Sequence, residues 1–254
     1  MTTDSDDPND FDTSDIPTMK GIKTMNMDTE TPALIIDGIS VSTVNGEIRY
    51  EAGAEIDADG AGAAYALPGS GLTGLDYIAN ALTNPAEAKD PNINWQYPPS
   101  GWAGIITNPD KTPFVQIDGP YKGYCLSATA LQDHNFSVYD YRRYVQADVI
   151  AYISIPPALE ALGVRLGDAA LVCDRDTAKS IQAVVGDIGP RRKLGEVSIA
   201  CANGINIYSS PKNGGVSRGV IVRIFPGSAK TPAWDNRRKQ TDVAAFVDAF
   251  ASAA

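Results

Sequence analysis

Histidine is nearly absent from this chain: His134 is the only one in 254 residues, and it stands in a polar Gln-Asp-His-Asn loop. No serine near it has nucleophile-elbow spacing, so a Ser/His triad or a histidine-based metal site lacks its parts. Cysteine is scarce as well. Cys125, Cys173 and Cys201 match no zinc spacing; they allow one disulfide plus a free thiol at most, with a fully reduced set as the equal alternative. Basic residues are outnumbered, 21 Lys and Arg against 31 Asp and Glu, giving a formal charge of -10 and a pI near 4.5. That balance argues against nucleic acid, which selects basic surfaces. No stretch approaches the roughly 18 apolar residues of a membrane span. The richest, Ala147 to Val164, is broken by Asp148, Pro156, Pro157 and Glu160. The amino terminus also lacks the basic start and apolar core of a secretory signal. The expectation is a soluble protein and a monomer, with neither nucleic acid nor membrane as partner and with its compartment left open.

What is present suits a globular domain: 43% hydrophobic and 20% charged residues. Much of the charge sits at the start, where Asp4, Asp6, Asp7, Asp10, Asp12, Asp15, Asp28 and Glu30 face only Lys20 and Lys23. Residues 1–30 therefore read as a disordered acidic tail, residues 31–228 as the folded domain, and residues 229–254 as an extension with a helix. From residue 33 onward, short apolar runs alternate with Gly/Pro/Asn/Asp turns. Ala33 to Ile36 and Ile39 to Val44 predict a first hairpin, and Gly104 to Thr107 with Phe114 to Ile117 another around Asn108-Pro-Asp-Lys111. Further expected strands are Tyr124 to Thr129, Val149 to Ile155, Ala169 to Cys173, Ile181 to Val185, Val197 to Cys201 and Val220 to Phe225, with Ile205 to Tyr208 a short one. Helices are few: Gly74 to Leu82, a turn at Pro157 to Leu162, and Asp242 to Ala253, where Val243, Phe246, Val247 and Phe250 recur at helical spacing. Many short strands at such intervals predict a mostly β fold, a closed barrel or sandwich.

Chemistry concentrates between Ala183 and Ile199. Two strand-like runs flank a Gly/Pro turn that holds Asp187 and Glu196, each directly after a glycine. Read locally, this is a hairpin that turns both carboxylates into one cleft. Hydrolysis of a glycosidic bond needs such a pair, one protonated to donate to the leaving oxygen and one ionised to activate water. The alternative is a pair of solvated turn acids. Glu196 heads an apolar strand, and partial burial there would raise its pKa as a general acid requires. Asp187, in the glycine-flanked half, is then the base and the less buried of the two.

Other residues leave their alternatives open. Asp57 and Asp59, in Asp-Ala-Asp-Gly, begin a calcium-loop pattern without completing it; they either bind cationic sugars or are solvated turn acids. Trp95, Tyr97, Trp102 and Tyr121 lie in Pro/Gly-rich loops, where they either stack on sugar rings or cover core. Arg191, Arg192 and Lys193 are a solvated turn tip or a preference for uncharged glycan. Gly69-Ser-Gly-Leu-Thr-Gly lacks the lysine of a phosphate loop and reads as surface.

Four segments in order resemble glycoside hydrolase family 75, the chitosanases. They are Glu55-Ile-Asp-Ala-Asp-Gly60, then Gly104 to Gln116 with Gly123 to Leu131, then Tyr144 to Pro156, and finally Gly167 to Cys173 leading into the Asp187/Glu196 segment. The resemblance spans roughly residues 50 to 225. It implies a six-stranded double-psi β-barrel and endo-acting, inverting cleavage of β-1,4-linked glucosamine polymers. On it, Asp187 and Glu196 are catalytic, Asp57, Asp59, Trp95, Trp102 and Tyr121 bind substrate, and no metal or cofactor takes part. Chitin, peptidoglycan glycan, or a binding barrel without turnover are the alternatives. Ala58 departs from the family where a cysteine is common, and members are typically exported.

Overall fold

The computed structural model describes residues 33–230 and 239–251; the tail expected over residues 1–30 lies outside the described residues. Eight strands form one sheet: β1 Leu34–Ile36, β2 Ile39–Val44, β3 Glu47–Asp57, β4 Tyr152–Ile155, β5 Ala169–Asp174, β6 Ser180–Ile188, β7 Glu196–Ser198 and β8 Val216–Phe225. Their order is β1-β2-β3-β7-β4-β6-β5-β8, and β8 returns to pair with β3. Six strands thus close into a barrel, with β1 and β2 attached outside it, and the mostly β expectation holds. The two attached strands come from tight Asp37-Gly38 and Asn45-Gly46 turns with positive φ at all four residues, the conformation that right-twisted hairpins select.

Alternation sorts side chains between two apolar layers. Ile48, Tyr50, Ala52, Ile153, Ile155, Val172, Val185, Val197, Val222 and Ile224 fill the barrel. Tyr152, Leu171, Val184 and Phe225 face outward into a second layer with Ala58, Ala64, Leu131 and Ile150. Helix α2, Gln240–Ala251, covers part of that layer through Val243 and Val247. Its Gln240 accepts from Ala151 N at 2.8 Å and donates to Gln182 O at 2.6 Å, pinning the helix start to the barrel. No helix among the described residues is long and apolar enough to cross a membrane.

The segment between β3 and β4 forms no continuous strand. Gly104 to Thr107, Phe114 to Ile117 and Tyr124 to Thr129 meet only in isolated bridges, Ile105 with Ser127, Thr107 with Pro113 and Val115 with Cys125. The helix expected at Gly74 to Leu82 shrinks to a 3-10 turn at Ile78–Ala81, whereas the turn at Pro157–Leu162 stands as expected. The strand expected at Val197 to Cys201 ends at Ser198. Its hydroxyl accepts from Cys201 N at 3.1 Å and caps helix α1, Ile199–Gly204. Ile205 to Tyr208 is the exit from that helix, not a strand. All three cysteines are buried and unpaired.

Candidate functional site

Asp187 and Glu196 do come together, although not through a hairpin. β4 lies between β6 and β7, parallel to the first and antiparallel to the second. Ser154 on β4 is in register with Asp187 on one side and Glu196 on the other. Two strand spacings therefore separate the acids' backbones, roughly 9–10 Å, and cross-strand partners share a face. That face is the outside of the barrel, since Val185 and Val197 point in. The same parity on β3 turns Glu55 and Asp57 outward, beside Glu196 and Ser198 in the parallel β3–β7 register.

Two glycines explain the Gly-Asp and Gly-Glu pattern. The β4–β6 register slips between Ile153 and Ser154, where Gly186 makes a bulge; a Cβ there would come within 2.6 Å of the Tyr152 Cβ. A bulge re-aims the residue that follows it, which here is Asp187. Gly195 has φ +97, and a Cβ on it would strike Gly53 O; its own carbonyl accepts from Glu55 N at 2.8 Å. Glu196 thus leaves a backbone locked against β3.

A cleft of about 830 Å³ opens between this wall and the loops that follow β3. Six carboxylates line it (Glu55, Asp57, Asp59, Asp76, Asp187 and Glu196) against two lysines, Lys193 and Lys212. Oxygens of Asp57, Asp59 and Asp187 lie within 4.8 Å of one another, close enough to share protons or to hold a cation. Crowding out of water shifts all three. Burial pushes Asp187 up to about 8, helped by the charge of Asp57 and opposed by the Ala130 N–H that its Oδ1 accepts at 2.7 Å. Burial likewise lifts Asp57 to about 6, against the Asp59 N–H it accepts at 2.8 Å. Asp59 goes well above the carboxylate range through burial and the charges of Asp57 and Asp187, despite hydroxyls from Tyr65 and Ser127, each at 2.9 Å. Asp76 is also raised by burial, although Asn80 donates to both its oxygens.

Glu196 differs from these. Lys193 Nζ lies 3.1 Å from its Oε1 and also bonds Glu55. Asp187 therefore has a carboxyl that holds its proton near neutrality, a place the sequence expectation gave to Glu196, and Glu196 is ion-paired with Lys193. Of the cationic turn, Arg191 and Arg192 are exposed, and only Lys193 reaches the cleft.

Asp57 and Asp59 line the cleft, but none of the three predicted aromatics does. Trp95 and Trp102 pack on each other with ring centroids 6.3 Å apart, and Trp102 backs onto the outer apolar layer. Tyr121 lies over Gly62, edge-on to Tyr141. These rings cover core and neighbouring loops, so their assignment to the sugar path is corrected: stacking needs a ring face on the cleft wall. Sequence reading missed Tyr65, Ser127 and Ser154. Only Ser154 had a flag, as the sole polar residue in Ile153-Ser-Ile-Pro156 and in an entirely buried strand.

No family model matches this chain, and neither does any curated protein.

Proposed function

We propose that the cleft is the active site of an endo-acting, inverting glycoside hydrolase for β-1,4-linked amino-sugar polymers, with chitosan the preferred one. One observation carries the reading: a buried, proton-holding Asp187 and an ion-paired Glu196 flank Ser154 in register on one wall. Inverting enzymes separate their carboxyls by roughly 6.5–9.5 Å to admit a water, and the two-strand spacing suits that geometry. Asp187 gives its proton to the glycosidic oxygen as the C1–O bond breaks. Glu196 takes a proton from the water that attacks C1 from the opposite face. The excess of carboxylates over lysines favours a cationic polymer, because glucosamine ammonium groups would be drawn to it.

Reducing-end release from chitosan, chitin and peptidoglycan tests this, using wild type, Asp187→Asn and Glu196→Gln. Turnover of chitosan by wild type alone is the expected result, with the inverted anomer appearing first by proton NMR. Binding without turnover would convert the reading to a carbohydrate-binding barrel. The Asp57/Asp59/Asp187 cluster favours a second reading, in which a divalent cation is held there. Activity lost in EDTA and restored by one divalent ion would establish it.

A further inference from the structure

All four residues of β4 are buried; of its two hydroxyls, that of Tyr152 donates to Asp59 O at 2.9 Å, and the other belongs to Ser154. The Ser154 hydroxyl oxygen is shut away from bulk solvent and has no hydrogen-bond partner among the described residues. Buried hydroxyls in folded proteins almost always have one, so this orphan points to a partner that the chain does not supply. Its surroundings say where that partner would sit. Ser154, Gly189 and Glu196 all line the cleft. A Cβ on Gly189 would come within 2.7 Å of Ser154 Oγ and would collide with Glu196 Oε2. Both oxygens therefore lie against the bare Cα of residue 189 at the edge of the cleft, where any side chain on that residue would force them away.

We propose that Ser154 Oγ and Glu196 Oε2 together seat the water that attacks the sugar, over Gly189. This assignment rests on the glycosidase reading of the same cleft. The water gives one hydrogen to the Glu196 carboxylate, the hydrogen transferred as its oxygen bonds C1. Ser154 Oγ accepts the other hydrogen, which stays on the product hydroxyl. With both hydrogens held, the oxygen's lone pairs are left for the cleft side, and one of them attacks C1. Asp187 protonates the departing oxygen, so the step balances without a further reactant. Positioning of this kind converts a diffusing water into an aligned one. It also explains why a serine interrupts an apolar strand at the residue in register with both acids.

The test joins a crystal structure of the wild-type protein to the kinetics of Ser154→Ala and Gly189→Ala. An ordered water within about 3.2 Å of both Ser154 Oγ and Glu196 Oε2 is expected. Ser154→Ala should lower kcat on chitosan about tenfold, the scale of one hydrogen bond made in the transition state. KM should stay within about twofold and Tm should change little, since the hydroxyl removed bonds a water and no group of the chain. A purely structural serine would give the reverse, a lowered Tm with kcat kept. Gly189→Ala should lower kcat at least as far, because its methyl would push Ser154 Oγ and Glu196 Oε2 out of place. A wild-type structure with no water at that position overturns the proposal, and so does a Ser154→Ala kcat within twofold of wild type. Should the water be present while wild type hydrolyses none of the glycans, the glycosidase reading fails, and the seat stands only as a hydration site.

Discussion

The two walls of the cleft are built on different principles. One is the barrel, where β3, β4, β6 and β7 supply Glu55, Asp57, Ser154, Asp187 and Glu196 from ladders with fixed register. The other, residues 58 to 151, has only isolated bridges and 3-10 turns, yet Ala61, Ala64, Cys125, Leu126 and Leu131 are as buried as any barrel residue. It supplies two of the six acids, Asp59 and Asp76, and it supplies donors: the Tyr65 and Ser127 hydroxyls to Asp59 and the Ala130 N–H to Asp187, each opposing the rise that burial causes. A ladder places charged groups to a fraction of an ångström. Irregular chain can aim backbone and side-chain donors in directions that a pleated sheet cannot.

Replacing the barrel's acids should have the largest effect. Asp187→Asn and Glu196→Gln are each expected to cut turnover by about two orders of magnitude or more, the scale of general acid–base catalysis. Chitosan binding, measured by calorimetry, should be largely kept. Near-wild-type turnover in either variant would remove the barrel's claim to the chemistry.

The acids' protonation should come next. On the proposed mechanism Asp187 must be protonated to act, so activity should fall as pH rises through about 8. Asp57 is the main charge that raises it after burial, so Asp57→Asn should move that alkaline limb downward by about one pH unit. Tyr65→Phe removes a hydroxyl that partly opposes the rise of Asp59, and it should move the limb less. A larger shift from Tyr65→Phe than from Asp57→Asn would mean that the loop wall, not the barrel, sets the acid.

Stability gives a smaller but independent measure. An aspartate in the unfolded chain titrates near 3.9, whereas folded Asp187 does so near 8. Below about pH 4 both states hold the proton and nothing is lost. Between about 4 and 8 only the folded state holds it, so this group's share of stability falls as pH rises. Asp187→Asn cannot ionise. Its Tm should match wild type near pH 4 and exceed it by at least about 3 °C at pH 8. Scanning calorimetry at the two pH values reads the difference.

The smallest effects should come from the loop aromatics. Trp95→Ala and Tyr121→Phe leave the cleft wall untouched, so kcat/KM should stay within about twofold of wild type. A tenfold loss from either would place substrate on those loops and restore the sequence-based assignment.

What could be read from the sequence follows the same division. β5, β6 and β8 announce themselves through Ala169-Ala-Leu-Val-Cys173, Ile181 to Val185 and Val220 to Phe225, short runs in which apolar residues predominate. β3 does not. Ala52, Gly53, Ala54 and Glu55 have little strand propensity, and the strand exists because β2, β7 and β8 all pair with it. Val197-Ser-Ile-Ala-Cys201 misleads in the opposite sense, because a single hydroxyl at Ser198 ends the strand and starts a helix. The two acids could be found, since a glycine before each marks a bulge and a backbone contact. Their geometry could not, because the strand that separates them comes from thirty or more residues earlier in the chain. Burial, which raises the pKa of Asp187, depends on loops whose packing has no period to read.

The pairing of β3 with β8 also governs how the protein must be made. Glu47 and Arg223, joined by paired hydrogen bonds, are 176 residues apart. At about 5–20 residues per second on the ribosome, roughly 10–30 s pass between the emergence of one and the other. Through that interval Ile48, Tyr50, Ala52 and Ala54 have no permanent neighbour on the β8 side, and the apolar interior stays open to water. The nascent chain therefore carries an unsatisfied strand edge until β8 has emerged, and closure waits for one long-range step whose entropy cost makes it slow.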